Sequence, residues 1–129
     1  MEEGYPGNLH VEVKYVLRGS TLGIIYSGYS DADTIINLTN HMYFNLSGED
    51  SILRHKLQVR ADCYMPVDDE CLVTGEDGSR YKDYEGIALE TEYCPDSINK
   101  EKKLGVILRR GDTYHSETYY TFKNIRAVD

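Results

Sequence analysis

Tryptophan is absent from this chain of 129 residues, phenylalanine occurs only twice and proline three times. No apolar run is long enough to span a bilayer, which excludes a membrane-crossing helix from the reading. Cysteine is sparse and odd in number: Cys63, Cys71 and Cys94 form no Cys-x-x-Cys pair. They read as free thiols in a reducing compartment, not as a disulfide framework or zinc site. Basic residues are short too, with 14 Lys plus Arg against 22 Asp plus Glu and a net charge of −8. That balance argues for solubility and against nucleic acid or an anionic membrane as partner. Residues 1–6 have neither the basic nor the apolar region of a signal peptide. The sequons at Asn37 and Asn45 then read as coincidences, and the cytoplasm is the expected compartment. Sustained helical periodicity, internal repeats and low-complexity tracts are also missing.

What the chain does have is strand patterning. Leu9, Val11, Val13, Tyr15 and Leu17 alternate mostly with polar residues, the period of a half-buried strand. Arg18-Gly19-Ser20 reads as a turn and residues 21–29 as a second strand, a hairpin. A loop at 30–33 leads to the β-branched Thr34, Ile35 and Ile36. Leu57, Val59 and Ala61 alternate with Lys56, Gln58 and Arg60, which predicts another strand. Residues 64–68 break regularity around Pro66, and a short strand at 72–73 precedes a polar loop at 75–84. Further strands are expected at 87–92, 106–108 and 117–122, with a charged connection at 95–103 and a turn at 110–112. The length suits one domain, and the class is all-β with antiparallel pairing. Tyrosine supplies 12 of the 14 aromatics. On strands that serves β propensity and packing first, with a sugar-stacking surface as the alternative for one or two.

Two stretches carry chemistry. Residues 37–46, Asn-Leu-Thr-Asn-His-Met-Tyr-Phe-Asn-Leu, place His41 where a strand gives way to a loop, between amides and aromatics. Imidazole exchanges protons near neutral pH, although a lone histidine is more often a hydrogen-bonded structural residue. Residues 86–92, Gly-Ile-Ala-Leu-Glu-Thr-Glu, put Glu90 on an apolar strand, where an unpaired carboxylate is costly to bury. Glu90 is then either a solvent-facing edge residue or a base tuned by its surroundings. His10, His55 and His115 are scattered without ligand spacing, so no metal site is expected.

The first stretch resembles the signature of the aldose 1-epimerases (galactose mutarotases), Asn-x-Thr-Asn-His-x-Tyr-Phe-Asn-Leu, at every specified position. The second is similar to that family's Leu-Glu-Thr-Gln and following Pro-Asp-x-x-Asn, here Leu89 to Glu92 and Pro95 to Asn99. Ala61-Asp62-x-Tyr64-x-Pro66-Val67-Asp68 and Leu108-Arg109-x-Gly111-x-x-Tyr114 add to the likeness. The resemblance implies an antiparallel β-sandwich and the interconversion of α and β aldohexose anomers without a cofactor. It assigns His41 as general acid and Glu90 as general base. Asn40, His41, Tyr43, Phe44 and Glu90 are the expected sugar-contacting residues, with a small-molecule aldose as partner.

The likeness runs in two blocks, a central one at 1–76 joined to a C-terminal one at 77–129, as a single partial domain. Family members are more than twice as long. An N-terminal block with an Asn-Arg pair and a second histidine is missing, as is a middle block with sugar-binding Asp and Gln. Glu92 stands where the family has glutamine, and Met42 where a small hydroxyl residue is usual. A non-catalytic carbohydrate-binding sandwich and an inactive gene remnant are the alternatives. Self-association through unpaired strand edges is expected.

Overall fold

The structure is a computed structural model that describes residues 4–62, 84–94, 97–99 and 105–124. The features expected at 64–68, 72–73 and 75–83, most of the 95–103 connection, the junction of the two blocks, Cys63 and Cys71 lie outside the described residues. Among those described, the elements are seven strands and one 3-10 turn at Ser97–Asn99, with every strand pair antiparallel. The all-β reading holds. The chain divides into two compact units, one drawn from residues before Asn40 and after Glu90, the other from Asn40–Glu90.

In the first unit, β1 (Leu9–Arg18) and β2 (Thr21–Ser30) form the expected hairpin, with Arg18 opposite Thr21. Gly19 has a φ of 57°, the positive value that the first position of a type II′ turn requires and glycine accepts freely. β7 (Tyr114–Thr121) pairs with the other edge of β2, giving the order β1-β2-β7. Past the ladder, the Phe122 N–H donates to the Ser20 carbonyl at 2.9 Å.

The register decides which side chains share a face. Ile24 and Tyr26 of β2 lie opposite Tyr15 and Val13 on one side and Thr118 and Ser116 on the other. Over this face runs a second antiparallel pair, β3 (Thr34–Ile35) with β6 (Ile107–Leu108), prolonged by a 2.9 Å bond from the Ile36 N–H to the Val106 carbonyl. Ile24, Tyr26, Ile36, Val106 and Leu108 are the buried hydrophobic residues of this two-layer core. The β1 backbone requires glycine at position 28, and Ile36 of the second layer reaches it at ordinary contact distance. A Cβ there would lie 2.8 Å from the His10 carbonyl oxygen and 3.7 Å from Ile36 Cδ1.

Carboxylates pin the segment entering β3. Asp31 accepts from the Asn8 N–H and side-chain amide, both at 2.7 Å. Asp33 accepts from the Arg110 N–H at 2.8 Å and from Arg109 Nη1 at 2.6 Å. The backbone bond from Asn8 first, then its amide, holds the Asp31 carboxyl below the usual range. For Asp33 the Arg110 N–H leads and Arg109 follows.

The structure corrects four expectations. Residues 56–61 form no strand, and Leu57 and Val59 are exposed. Alternation alone does not make a strand; a ladder partner is needed, and none is present among the described residues. β1 alternates as expected but is not half-buried, because it is an edge strand over which no described layer extends. The segment predicted over 87–92 is strand only at Ile87–Ala88. Tyrosine packing holds for Tyr26, Tyr114 and Tyr120, whereas Tyr15, Tyr29, Tyr43 and Tyr119 are exposed.

Two outcomes test this account. Gly28→Ala should lower stability by about 1–3 kcal/mol through overpacking against β1, measured by urea unfolding. The carboxyls of Asp31 and Asp33 titrate lower in the folded chain than in the unfolded one. Their stabilisation is therefore complete above the ordinary carboxylate pKa and lost as pH falls through the depressed folded values. Acid titration followed by circular dichroism should show this loss, with a shallower acid limb in Asp33→Asn.

Candidate active site

The second unit holds β4 (Tyr43–Phe44) and β5 (Ile87–Ala88), paired with Tyr43 opposite Ala88 and Phe44 opposite Ile87. Carrying that register two residues beyond the ladder sets His41 opposite Glu90. The side chains meet there, His41 Nε2 lying 2.6 Å from Glu90 Oε1. A register slip of one residue would send one of them to the other face, so the short pairing carries the geometry of the whole site. Neither residue lies on a strand: His41 stands two residues before β4, and Glu90 two residues after β5, where the expectation had Glu90 on a strand.

Glu90 is not buried on an apolar strand either. Its side chain is 31 % exposed and that of His41 50 %. An ion pair this wet contributes roughly 0–1 kcal/mol and separates at little cost. Tyr43, two residues from His41 and on the same face, meets the imidazole edge-on at a centroid distance of 5.0 Å and an angle of 60°. His41 and Glu90 thus converge, and because the two groups touch, no gap wide enough for a pyranose ring lies between them.

The asparagines of the signature act largely on backbone. Asn45 Nδ2 donates to the carbonyls of Glu49 at 2.8 Å and Glu85 at 3.1 Å. Its Oδ1 accepts from the Ser47 N–H and hydroxyl. One amide thus ties the end of β4 to the following turn and to the residue entering Gly86 and β5. Asn40 Oδ1 accepts from the Met42 N–H at 3.1 Å, an Asx turn that aims the chain past His41. The same bond gives position 42 a backbone role whatever its side chain. In the first unit, Asn37 pairs with the Tyr93 backbone in both directions, at 3.0 and 2.9 Å, as a neighbouring strand would.

Sequence reasoning missed Asn45 and His55 as positioning residues. The Leu46 N–H donates to His55 Nε2 at 3.1 Å, and the Ile52 N–H donates to the Tyr84 carbonyl at 2.8 Å. The Asn45 signal lay in its place before Ser47-Gly48, a turn composition; for His55 no local signal exists. Phe44 is half-buried and Tyr43 exposed, so of the two expected aromatic contacts Tyr43 is the one open to a ligand. Glu92 lies in the first unit, where it lines a cavity of about 220 Å³ together with Asn37, Tyr93, Tyr114 and His115. No group of three or more His, Cys, Asp or Glu residues among the described ones is arranged to hold a metal ion.

Asn45→Ala should remove about 1–3 kcal/mol from this unit. Hydrogen exchange should report faster exchange at β4 and β5 and unchanged protection in β2.

Comparison with known proteins gives a consistent result. The family described as aldose 1-epimerase matches residues 1–77. Galactose mutarotase of Mus musculus is 36 % identical over 93 % of this chain and 40 % of its own length. The human galactose mutarotase is 48 % identical over 58 % of this chain and 22 % of its own. Aldose 1-epimerase of Haemophilus influenzae is 45 % identical over 54 % and 22 %. The chain thus spans well under half the length of these relatives.

Proposed function

The chain belongs to the aldose 1-epimerase family, and from that membership we propose that His41 and Glu90 are an acid–base couple for interconverting α and β aldohexoses. The observation that carries the proposal is the 2.6 Å approach of His41 Nε2 to Glu90 Oε1. Anomerisation acts on two oxygens bound to one carbon, so its acid and base must converge. Glu90 as carboxylate removes the proton of the C1 hydroxyl while His41 as imidazolium protonates the ring oxygen. The C1–ring oxygen bond breaks, leaving an open-chain aldehyde, a neutral imidazole and a carboxylic acid. After rotation about C1–C2, His41 takes back the proton of the C5 hydroxyl and Glu90 returns its own to the carbonyl oxygen. The ring closes with C1 inverted and both side chains in their starting states. No proton is gained or lost overall, and the residues named suffice for every transfer.

In this reading the sugar enters by parting the resting pair, which its exposure makes inexpensive. Tyr43 offers a flat face beside His41, and Asn40 and Phe44 shape the approach. The acidic chain suits a small neutral substrate, and the cytoplasm is the compartment of this proposal. The closed contact also favours a second reading, a carbohydrate-binding module in which the pair never opens far enough for chemistry.

Polarimetry of fresh α-glucose separates the two. General acid–base assistance is worth roughly 10²–10⁴-fold per group, whereas holding the substrate in place contributes up to ~7–11 kcal/mol more. The expected outcome is a rate above solvent but far below that of a full-length mutarotase, lost in both His41→Ala and Glu90→Gln. Sugar-dependent NMR shifts at Tyr43 without any acceleration would establish the binding module instead. A wild-type rate equal to that of a full-length relative would show that the stretch spanned by this chain suffices for full activity.

A further inference from the structure

We infer that β1 is a self-pairing edge, through which two copies of this chain join as an antiparallel dimer centred on Val13. Among the described residues β1 has a strand neighbour on one side only, β2. Arg18 and Thr21 flank the two-residue turn, so they form a hydrogen-bonded pair, and the even-numbered residues of β1 direct their backbone groups at β2. The odd-numbered residues then present their N–H and carbonyl groups at the free edge, a template for another strand.

Those odd residues also carry the exposed apolar row. Leu9, Val11, Val13, Tyr15 and Leu17 are 40 %, 43 %, 40 %, 61 % and 75 % exposed. A two-fold pairing centred on Val13 sets Val13 against the second copy's Val13, Val11 against Tyr15, and Leu9 against Leu17. The two rows become neighbours on one face of a continuous sheet.

Charge selects the occupant and the register. On the opposite face β1 carries Glu12 and Lys14, and among the described residues neither enters an ion pair. Centring on Val13 brings Glu12 opposite Lys14 of the second copy, and Lys14 opposite its Glu12. Both are non-hydrogen-bonded positions, where side chains stand closest. Moving the centre by one residue sets Glu12 against Glu12 or Lys14 against Lys14. The edge is complementary to itself in one register and repels in its neighbours. Because a two-fold interface uses the edge on both copies, association closes at two.

Sedimentation equilibrium of the 129-residue chain tests this. The expected result is a monomer–dimer equilibrium without higher species. Glu12→Lys and Lys14→Glu should each weaken dimerisation by about tenfold, since two attractive pairs become repulsive. Glu12→Lys combined with Lys14→Glu should restore it, because the complementarity is only exchanged. Val13→Pro should abolish dimerisation with circular dichroism unchanged, since the N–H it removes points away from β2. If Val13→Pro unfolds the chain, the single and double charge exchanges decide alone. A monomer at every concentration, open-ended oligomers, or a dimer indifferent to the charge exchanges would overturn the proposal.

Discussion

Strand β2 is the constraint on which the first unit depends. It is the only strand among the described residues with partners on both edges, and its side chains Ile24 and Tyr26 supply the centre of the buried core. β1 and β7 are placed by their ladders to it, and Ile36 closes the second layer over Gly28. At that glycine the β1 backbone comes close and Ile36 of the second layer makes ordinary contact. Apolar burial is the main favourable term in folding, and the buried hydrophobic side chains among the described residues all lie in this unit.

The described residues of the unit bearing His41 and Glu90 show a different balance. Among its described residues none is a buried hydrophobic. Its geometry rests on polar clips to backbone, with Asn45 bridging to Glu85 and His55 receiving the Leu46 N–H. Such bonds orient strongly but each adds only about 0.5–1.5 kcal/mol net. Among the described residues such bonds direct the site without apolar packing, which suits the proposed parting of His41 and Glu90 for a sugar.

The apolar row of β1 joins these two observations. The row lies on the same face of the sheet as the buried Ile24 and Tyr26. Among the described residues the row is exposed and the edge beside it has no partner strand. The charge pattern on the opposite face turns that edge from a generic hazard into one that prefers a particular partner in a particular register.

Much of this was legible in local pattern. The hairpin followed from alternation and Gly19-Ser20, the all-β class from the lack of helical period, and His41 and Glu90 from two motifs. Period and turn chemistry are short-range properties, so residues a few positions apart reveal them. The residues at 56–61 failed because a strand also needs a partner distant in the chain. The 2.6 Å contact between His41 and Glu90, the tie from Asn45 to the Glu85 carbonyl and the bond from the Leu46 N–H to His55 were decided by tertiary structure alone. They depend on the register between β4 and β5, and register is set by which distant backbone groups and side chains fit together, not by either stretch read by itself.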